Sequence, residues 1–167
     1  MRQLIIISLL AIYSLCCVSC DKTPDIRENP TGKIEKLLDS WHEDVAELRE
    51  QAYFDKMTED FVFAGTDPSE VWDKETFRKF CHPYFIKGKT WKFVPVSRNV
   101  HLEKNGSYAW FDELLDTWMG VCRGSGVVVY THGEWKLRHY VLSLTVPNDK
   151  MKDVMKTLNE QDGMDAR

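Results

Sequence analysis

The sequence has few of the features that would point directly to a particular chemistry. Basic residues are not in excess, since 22 Lys and Arg stand against 26 Asp and Glu in 167 residues, for a formal charge of −4. No basic cluster lies beside a set of aromatic residues, so nucleic acid is not expected as a partner. Nucleophile elbows, phosphate loops and dinucleotide fingerprints are also absent, which argues against hydrolysis, phosphoryl transfer and hydride transfer.

Cysteine and histidine give no metal-ligand pattern. The five histidines lack ligand spacing and there is no CxxC pair, so the sequence predicts neither a metal site nor another cofactor. Three of the five cysteines fall within the first twenty residues, which leaves Cys81 and Cys122 for the folded part. These two either form one disulfide in an oxidising compartment or remain as two buried thiols.

What the sequence does contain is typical of one globular domain preceded by an export signal. Hydrophobic residues make up 43% and aromatic residues 12% of the chain. Residues 1–19 are predicted to be a signal peptide, because Arg2 precedes an apolar stretch at 4–18 that is too short to span a membrane comfortably.

The end of the apolar stretch resembles the lipobox of bacterial lipoproteins. Small residues precede Cys20, and this resemblance implies cleavage before Cys20 and its lipidation. The protein would then be anchored to a membrane in the bacterial cell envelope, on the periplasmic or the surface face. The alternative is an ordinary cleaved signal with incidental cysteines. Residues 20–31, with two prolines and alternating charges, are predicted to form a flexible tether.

The periodicity of apolar residues predicts an α+β fold for a domain at residues 32–147. A period of 3.6 indicates helices at 33–51 and 73–86, with a short helical turn at 53–58 and a brief strand at 61–64. A period of two then predicts an antiparallel meander of four strands, at 91–103, 107–119, 121–131 and 134–146. Residues 148–167 are predicted to form a polar C-terminal helix, to residue 159, and a tail. Helices followed by a long antiparallel sheet indicate helices on one face of a curved sheet.

Four short motifs occur in the order found in one known family. They are FAGTDP at 63–68, AWFDE at 109–113, RGSGV at 123–127 and GEWKL at 133–137. Together they resemble the SnoaL-like branch of the nuclear transport factor 2-like superfamily. The resemblance implies a cone in which N-terminal helices pack in the concavity of a strongly bent antiparallel sheet and leave a pocket at the open end. It also implies a possible homodimer through the sheets. The superfamily contains isomerases, dehydratases, cyclases and binding proteins, so it does not choose an activity.

A candidate polar pair follows from the predicted pairing of two strands. If the turn between them lies near residues 118–120, Glu113 lies opposite Arg123, and Ser125 shares the face of Arg123. On the concave face, this arrangement would place a carboxylate against a guanidinium inside the pocket. The alternative is a solvated pair on the convex face.

Further candidates lie on the last strand, in a turn and among the aromatic residues. His139 is predicted either as a general base or as a core histidine satisfied by a backbone carbonyl. Asp67 either holds a ligand hydroxyl at the mouth of the cone or caps its turn. Trp91 and Tyr84 are predicted to line a pocket for a flat, apolar molecule, although most of the aromatic residues must belong to the core.

The favoured prediction is a binding protein that holds a small, mostly apolar molecule without catalysis. In this interpretation Glu113, Arg123 and His139 orient the ligand. The first alternative is an isomerase, cyclase or dehydratase in which Glu113 or His139 moves a proton and Arg123 stabilises negative charge. The second is a structural or dimeric interaction protein with a filled cone.

Overall fold

The computed structural model describes residues 29–165, with side chains described through residue 159. The predicted signal peptide, Cys20 and the tether up to residue 28 lie outside the described residues. The first helix begins at Pro30, so the last residues assigned to the tether are helical. Within the described range, no helix combines the length and the apolar character needed to cross a membrane.

Two helices, two strands and a third helix come first in the described part of the chain, and a run of four strands follows. The helices are α1 (Pro30–Ala46), α2 (Glu50–Asp55), α3 (Lys74–Ile86) and α4 (Met151–Asp165), the last preceded by a 3-10 turn at Asn148–Lys150. The strands are β1 (Met57–Ala64), β2 (Val71–Asp73), β3 (Val94–Leu102), β4 (Tyr108–Thr117), β5 (Gly120–Thr131) and β6 (Glu134–Leu144).

The six strands form one curved sheet in the order β2-β1-β6-β5-β4-β3. Strands β3 to β6 are the predicted antiparallel meander. Strand β1 lies parallel to β6, a pairing that the meander prediction did not include, and the short edge strand β2 was not predicted. The α+β class and the cone, with helices in the concavity of a bent sheet, are confirmed.

Helix α1 follows its apolar spacing. Ile34, Leu38, Trp41 and Val45 recur at three- and four-residue steps and are all buried. The helix ends at Ala46 rather than at the predicted residue 51, because Leu48 adopts a left-handed backbone with φ of 61°. The chain then restarts as α2, three residues before the predicted helical turn.

Helix α3 packs on β1 and closes one side of the core. Its first residues are capped by Asp73, whose carboxylate accepts the backbone N–H of Thr76. Phe77 stacks on Phe63 of β1 with ring centroids 4.2 Å apart. Phe80 and Tyr84 of the same helix are partly exposed, at 40% and 42%.

The two domain cysteines are both buried and do not form a disulfide. Cys81 lies on the buried face of α3, where burial and the neighbouring Glu50 carboxylate raise the pKa of its thiol. Cys122 lies at the start of β5, in the core. The alternative of two buried thiols is therefore the one observed.

Candidate functional site

The register of β4 and β5 separates two residues that were predicted to pair. Glu113 lies opposite Gly124, and Arg123 lies opposite Leu114, so the predicted pairing of Glu113 with Arg123 is wrong by one residue. A slip of one residue transfers a side chain to the other face of a sheet. Arg123 is on the outer face with its nearest nitrogen 3.8 Å from Asp112, and Ser125 lies opposite Asp112 on that face.

Glu113 is the centre of a buried polar network on the inner face. Its side chain is 0% exposed. His42 Nε2 lies 2.7 Å from Oε1, and the Tyr140 hydroxyl donates to the same oxygen at 2.9 Å. Arg98 donates its Nε to Oε2 at 2.8 Å. Four elements, α1, β3, β4 and β6, therefore meet at one carboxylate, which we call the Glu113 network, of Glu113, His42, Tyr140 and Arg98.

The electrostatics of the Glu113 network favour an ionised carboxylate. Burial raises the pKa of Glu113, but the contacts with His42 and Arg98 outweigh it and hold the pKa below its usual value. Burial and the nearby carboxylate raise the pKa of Tyr140 well above its usual value, so Tyr140 remains a donor. A charged acceptor is thus satisfied by three donors.

Arg98 connects the network to α1. Its Nη1 donates to Asp39 at 2.7 Å and to the backbone carbonyl of Glu35 at 3.2 Å. Burial lowers the pKa of Arg98, but the pairing with Glu113 and Asp39 outweighs it and raises the pKa. The guanidinium therefore bridges a buried carboxylate and an exposed one, which fixes the strand β3 against the helix.

The Glu113 carboxylate determines which nitrogen of His42 carries the proton. An ionised carboxylate can only accept, so His42 Nε2 must be the donor. In the neutral ring, Nδ1 then has the free lone pair, and no described residue forms a hydrogen bond with Nδ1. His42 is also a wall residue of the cavity described below. This combination is the geometry of a histidine base oriented by a carboxylate.

Gly124 makes the meeting of Tyr140 and Glu113 possible. A Cβ atom at Gly124 would lie 2.1 Å from the Tyr140 hydroxyl oxygen and 3.0 Å from Cγ of Glu113. Any side chain here would therefore displace the two groups that form the hydrogen bond.

A cavity of about 160 Å³ opens beside the network. Its wall includes His42 and Tyr140, and most of its other residues are aromatic: Trp41, Tyr53, Phe63, Trp72, Phe77, Phe80, Trp91, Phe93 and Trp118. An apolar cavity of roughly 150 Å³ accommodates benzene, so this space suits about one ring. A larger open groove of about 740 Å³, bordered by β1, β4, β5 and β6, contains no member of the Glu113 network.

Two loops contribute to the wall of the cavity. The loop between β1 and β2 provides Gly65, Thr66 and Glu70, and the turn between β4 and β5 provides Trp118 and Met119. Trp118 is 81% exposed. Of the residues predicted for ligand binding, Trp91 lies in the cavity wall, and its role stays a prediction.

His139 does not point into the cone. Leu137 pairs with Val128 and His139 pairs with Val127, so Arg138 is the extra residue of a β-bulge. The bulge shifts the alternation, and Tyr140 rather than His139 faces inward. Nδ1 of His139 lies 3.2 Å from the backbone carbonyl oxygen of Val62, which matches the alternative of a histidine satisfied by the backbone.

Asp67 and Tyr84 also lie outside the cavity wall. The Asp67 carboxylate accepts the hydroxyl and backbone N–H of Ser69, which lower its pKa, so Asp67 caps its turn. The ring of Tyr84 packs against that of Trp91, with ring centroids 6.1 Å apart, but Tyr84 is not part of the cavity wall.

Three members of the Glu113 network, which are His42, Arg98 and Tyr140, were not predicted from the sequence. His42 follows Leu38 by four residues, on the apolar face of α1, and this position was its only available signal. Among the residues that the structure describes, no group of His, Cys, Asp and Glu is arranged to hold a metal ion.

Helices in the concavity of a bent sheet, with a pocket that ends at buried polar groups, define the cone-shaped class of nuclear transport factor 2-like domains. Within that class, the SnoaL-like domain family matches residues 34–147, and the chain belongs to it. No curated protein matches the chain.

Several solved structures share the fold. An NTF2-like protein of unknown function from Pseudomonas putida is 15% identical, with a TM-score of 0.59 over 71% of this chain and 89% of that chain. A Novosphingobium aromaticivorans protein provisionally assigned as a scytalone dehydratase is 12% identical, with a TM-score of 0.61 over 73% and 88%. Another from this organism, provisionally assigned as an aromatic ring hydroxylase, is 19% identical, with a TM-score of 0.56 over 69% and 88%. At these identities the similarity shows the fold alone.

Proposed function

We propose that the domain binds a small, mostly apolar molecule of about one ring in the cavity beside the Glu113 network. The observation that carries this proposal is the aromatic wall with His42 at its side, because ligand sites combine apolar walls with a few fixed polar groups. The free Nδ1 of His42 is the natural partner for a donor on the ligand. The open cavity argues against the alternative of a filled cone.

A substitution inside the cavity, matched with one outside it, tests the proposal. Leu142 lines the cavity, and Leu144, two residues further along β6, is 51% exposed and does not. We expect 2-phenylethanol to bind the wild type in calorimetry and in saturation-transfer NMR. Leu142→Trp should abolish the binding by filling the space, whereas Leu144→Trp should leave it unchanged. Equal binding by both variants would contradict the proposal.

A second candidate function is proton transfer from carbon, in which His42 is the base. The His42–Glu113 hydrogen bond favours it, because the carboxylate fixes the tautomer and stabilises the imidazolium that forms. The imidazolium formed at His42 would return the proton, to another carbon in an isomerisation or to the leaving hydroxyl group in a dehydration. The provisional dehydratase assignment of one structural neighbour is consistent with this class. Tyr140 already donates to Glu113, so it is a positioning residue in this scheme.

The exchange of acidic C–H protons for deuterium tests this second candidate without a known substrate. We expect the α-protons of 2-indanone to exchange faster with the protein than in buffer, as followed by NMR in D₂O. His42→Ala should reduce the protein-dependent rate by roughly 10²-fold or more. His139→Ala, which alters the histidine on the other face, is the matched control and should retain the rate. A rate that survives His42→Ala would overturn the candidate.

We also propose that the chain is exported and lipid-anchored through Cys20 in a bacterial cell envelope. The lipobox-like sequence supports this location. Labelling with a radioactive fatty acid should mark the wild type and a Cys17→Ser variant, but not Cys20→Ser. Labelling of Cys20→Ser would contradict the anchor.

A homodimer through the outer face of the sheet is the remaining proposal about partners. Trp110 is 47% exposed there and stacks on His101 with ring centroids 5.5 Å apart. Asp112 and Arg123 give the same face charges of both signs, which a second copy can pair across a twofold axis. Sedimentation analysis should show a dimer that Trp110→Glu converts to a monomer, and a wild-type monomer would exclude it.

A further inference from the structure

In the part of the chain that the structure describes, the cavity wall carries one carboxylate, and His42 is its only basic side chain. Glu70 is the only carboxylate in the wall as described, and neither lysine nor arginine contributes to it. The two tyrosines of the wall, Tyr53 and Tyr140, have pKa values raised well above the usual one by burial, so they remain neutral. A ligand that enters therefore meets negative charge and aromatic rings, which disfavours an anionic group.

Glu70 is held in position by its own loop. Its backbone N–H donates to the Asp67 carbonyl at 3.0 Å, and its carbonyl accepts the Gly65 N–H at 2.8 Å. Its side-chain Oε2 accepts the Asp67 N–H at 3.3 Å. The carboxylate folds over Gly65, where a Cβ atom would lie only 2.1 Å from Oε2. The absence of a side chain at Gly65 therefore allows Glu70 to lie against the cavity.

Glu70 has no cationic partner among the residues that the structure describes. The other buried or half-buried carboxylates near α1 and β1 do have one: Asp44 pairs with Arg49 and Lys56, and Glu113 pairs with Arg98. Glu70, a fixed carboxylate without an ion pair at the wall of an apolar cavity, differs in this respect from Asp44 and Glu113. It leaves a place for a positive charge that the protein itself does not supply.

Aromatic rings line the same cavity wall as Glu70. They include Trp72, two residues along the chain, and Trp91. Trp and Phe faces attract cations through their ring quadrupoles, and the attraction grows when water is excluded. Carboxylate and rings together form the kind of wall that binds an organic ammonium group.

We infer that the ligand carries a protonated amine, which pairs with Glu70 while its ring occupies the aromatic cavity. This inference rests on the proposed binding function and specifies its ligand class: a small aromatic or alicyclic amine. The charge-assisted bond from the ammonium group to a half-exposed carboxylate should favour the amine over a neutral analogue by roughly tenfold. An acid of the same shape should bind more weakly than either.

Three probes with the same phenethyl group and terminal groups of different charge test the inference. Phenethylamine, 2-phenylethanol and 3-phenylpropionate are titrated at neutral pH into the wild type, Glu70→Gln and Glu47→Gln. Glu47 is an exposed glutamate that ends α1 away from the cavity, so its variant is the matched control. We expect the amine preference in the wild type and in Glu47→Gln, and its loss in Glu70→Gln with the binding of 2-phenylethanol retained. Salt should weaken the binding of the amine more than that of the alcohol.

The outcomes separate this inference from the function on which it rests. If the alcohol binds as tightly as the amine, or the preference survives Glu70→Gln, the amine assignment is wrong and the binding function stands. If none of the probes binds the wild type, the binding function itself fails. If Glu70→Gln loses its folded structure by circular dichroism, the salt dependence of the two probes in the wild type decides: equal salt dependence overturns the inference.

Discussion

Asp112 and Glu113 are neighbours on β4, yet their carboxylates lie in opposite environments. Glu113 faces the helices, has no exposed surface and accepts bonds from three donors. Asp112 faces outward with its side chain 36% exposed, 3.8 Å from Arg123 and within 3.2 Å of the Asn99 amide. Two acidic residues with the same chemistry thus form a buried network on one face and a solvated pair on the other.

The two carboxylates should contribute differently to the stability of the fold. Burying a charged group costs several kcal/mol, so removing one partner of a buried pair is strongly destabilising, by about 3–5 kcal/mol. An exposed pair contributes about 0–1 kcal/mol, because water and salt screen it. Removing a charge from the Glu113 network should therefore destabilise the fold far more than removing one from the outer pair. The following substitutions test this contrast.

The largest expected effect is that of Glu113→Gln. The neutral amide removes the buried counter-charge of Arg98 and leaves the guanidinium paired only with the exposed Asp39. We therefore expect the free energy of unfolding to fall by about 3–5 kcal/mol. The matched substitution on the outer face, Asp112→Asn, should change it by less than about 0.5 kcal/mol. Urea denaturation followed by circular dichroism measures both. Similar losses in the two variants would show that the faces do not differ in this way.

Gly124→Ala should have the next largest effect. The added methyl group would overlap the Tyr140 hydroxyl, at a distance of 2.1 Å, and its displacement should cost about 2 kcal/mol. Ser125→Ala, the neighbouring change on the outer face, should cost less than about 0.5 kcal/mol. Thermal unfolding compares the two variants. A stable Gly124→Ala protein would mean that the Tyr140–Glu113 bond is not needed for folding.

The contrast between the two faces also explains which parts were predictable from the sequence. The spacing of apolar residues predicted the order and type of the long elements, because side chains on one face recur every 3.6 residues in a helix and every two residues in a strand. The cone followed from four motifs in order. Strand β2 was not predictable, because three residues are too few to show an alternation of apolar and polar side chains. The parallel pairing of β1 with β6 was not predictable either, because the two strands are distant along the chain.

The site was predicted less well because it depends on register. Glu113 was recognised, but a slip of one residue paired it with Arg123 rather than placing Gly124 opposite it. The bulge at Arg138 exchanged the roles of His139 and Tyr140, and a period-two pattern contains no sign of a bulge. Arg98 and His42 reach Glu113 from β3 and α1, so only the folded chain brings them together.

Tyr140→Phe should give a smaller loss, because Glu113 keeps two of its three donors. A hydrogen bond to a charged group contributes about 1.5 kcal/mol at the lower end of its range, and we expect that loss. Tyr130→Phe is the control, since the Tyr130 hydroxyl bonds to no described residue and its ring packs on Trp135. Differential scanning calorimetry should separate the two variants. Equal transition temperatures would indicate that the hydroxyl of Tyr140 does not hold the carboxylate.

The pH dependence of stability is the smallest and most specific contrast. The pKa of Glu113 is below its usual value of 4.5 in the folded protein, so its ionised form stabilises the fold above that pH. This contribution is lost as the pH falls through the folded-state pKa, at no more than about 1.4 kcal/mol per pH unit. The difference in the free energy of unfolding between the wild type and Glu113→Gln should therefore decrease as the pH falls below 4.5. The contributions of carboxylates that both proteins contain cancel in this difference. A difference for Glu113→Gln that stays constant down to about pH 3 would show that the buried carboxylate is not held ionised by its partners.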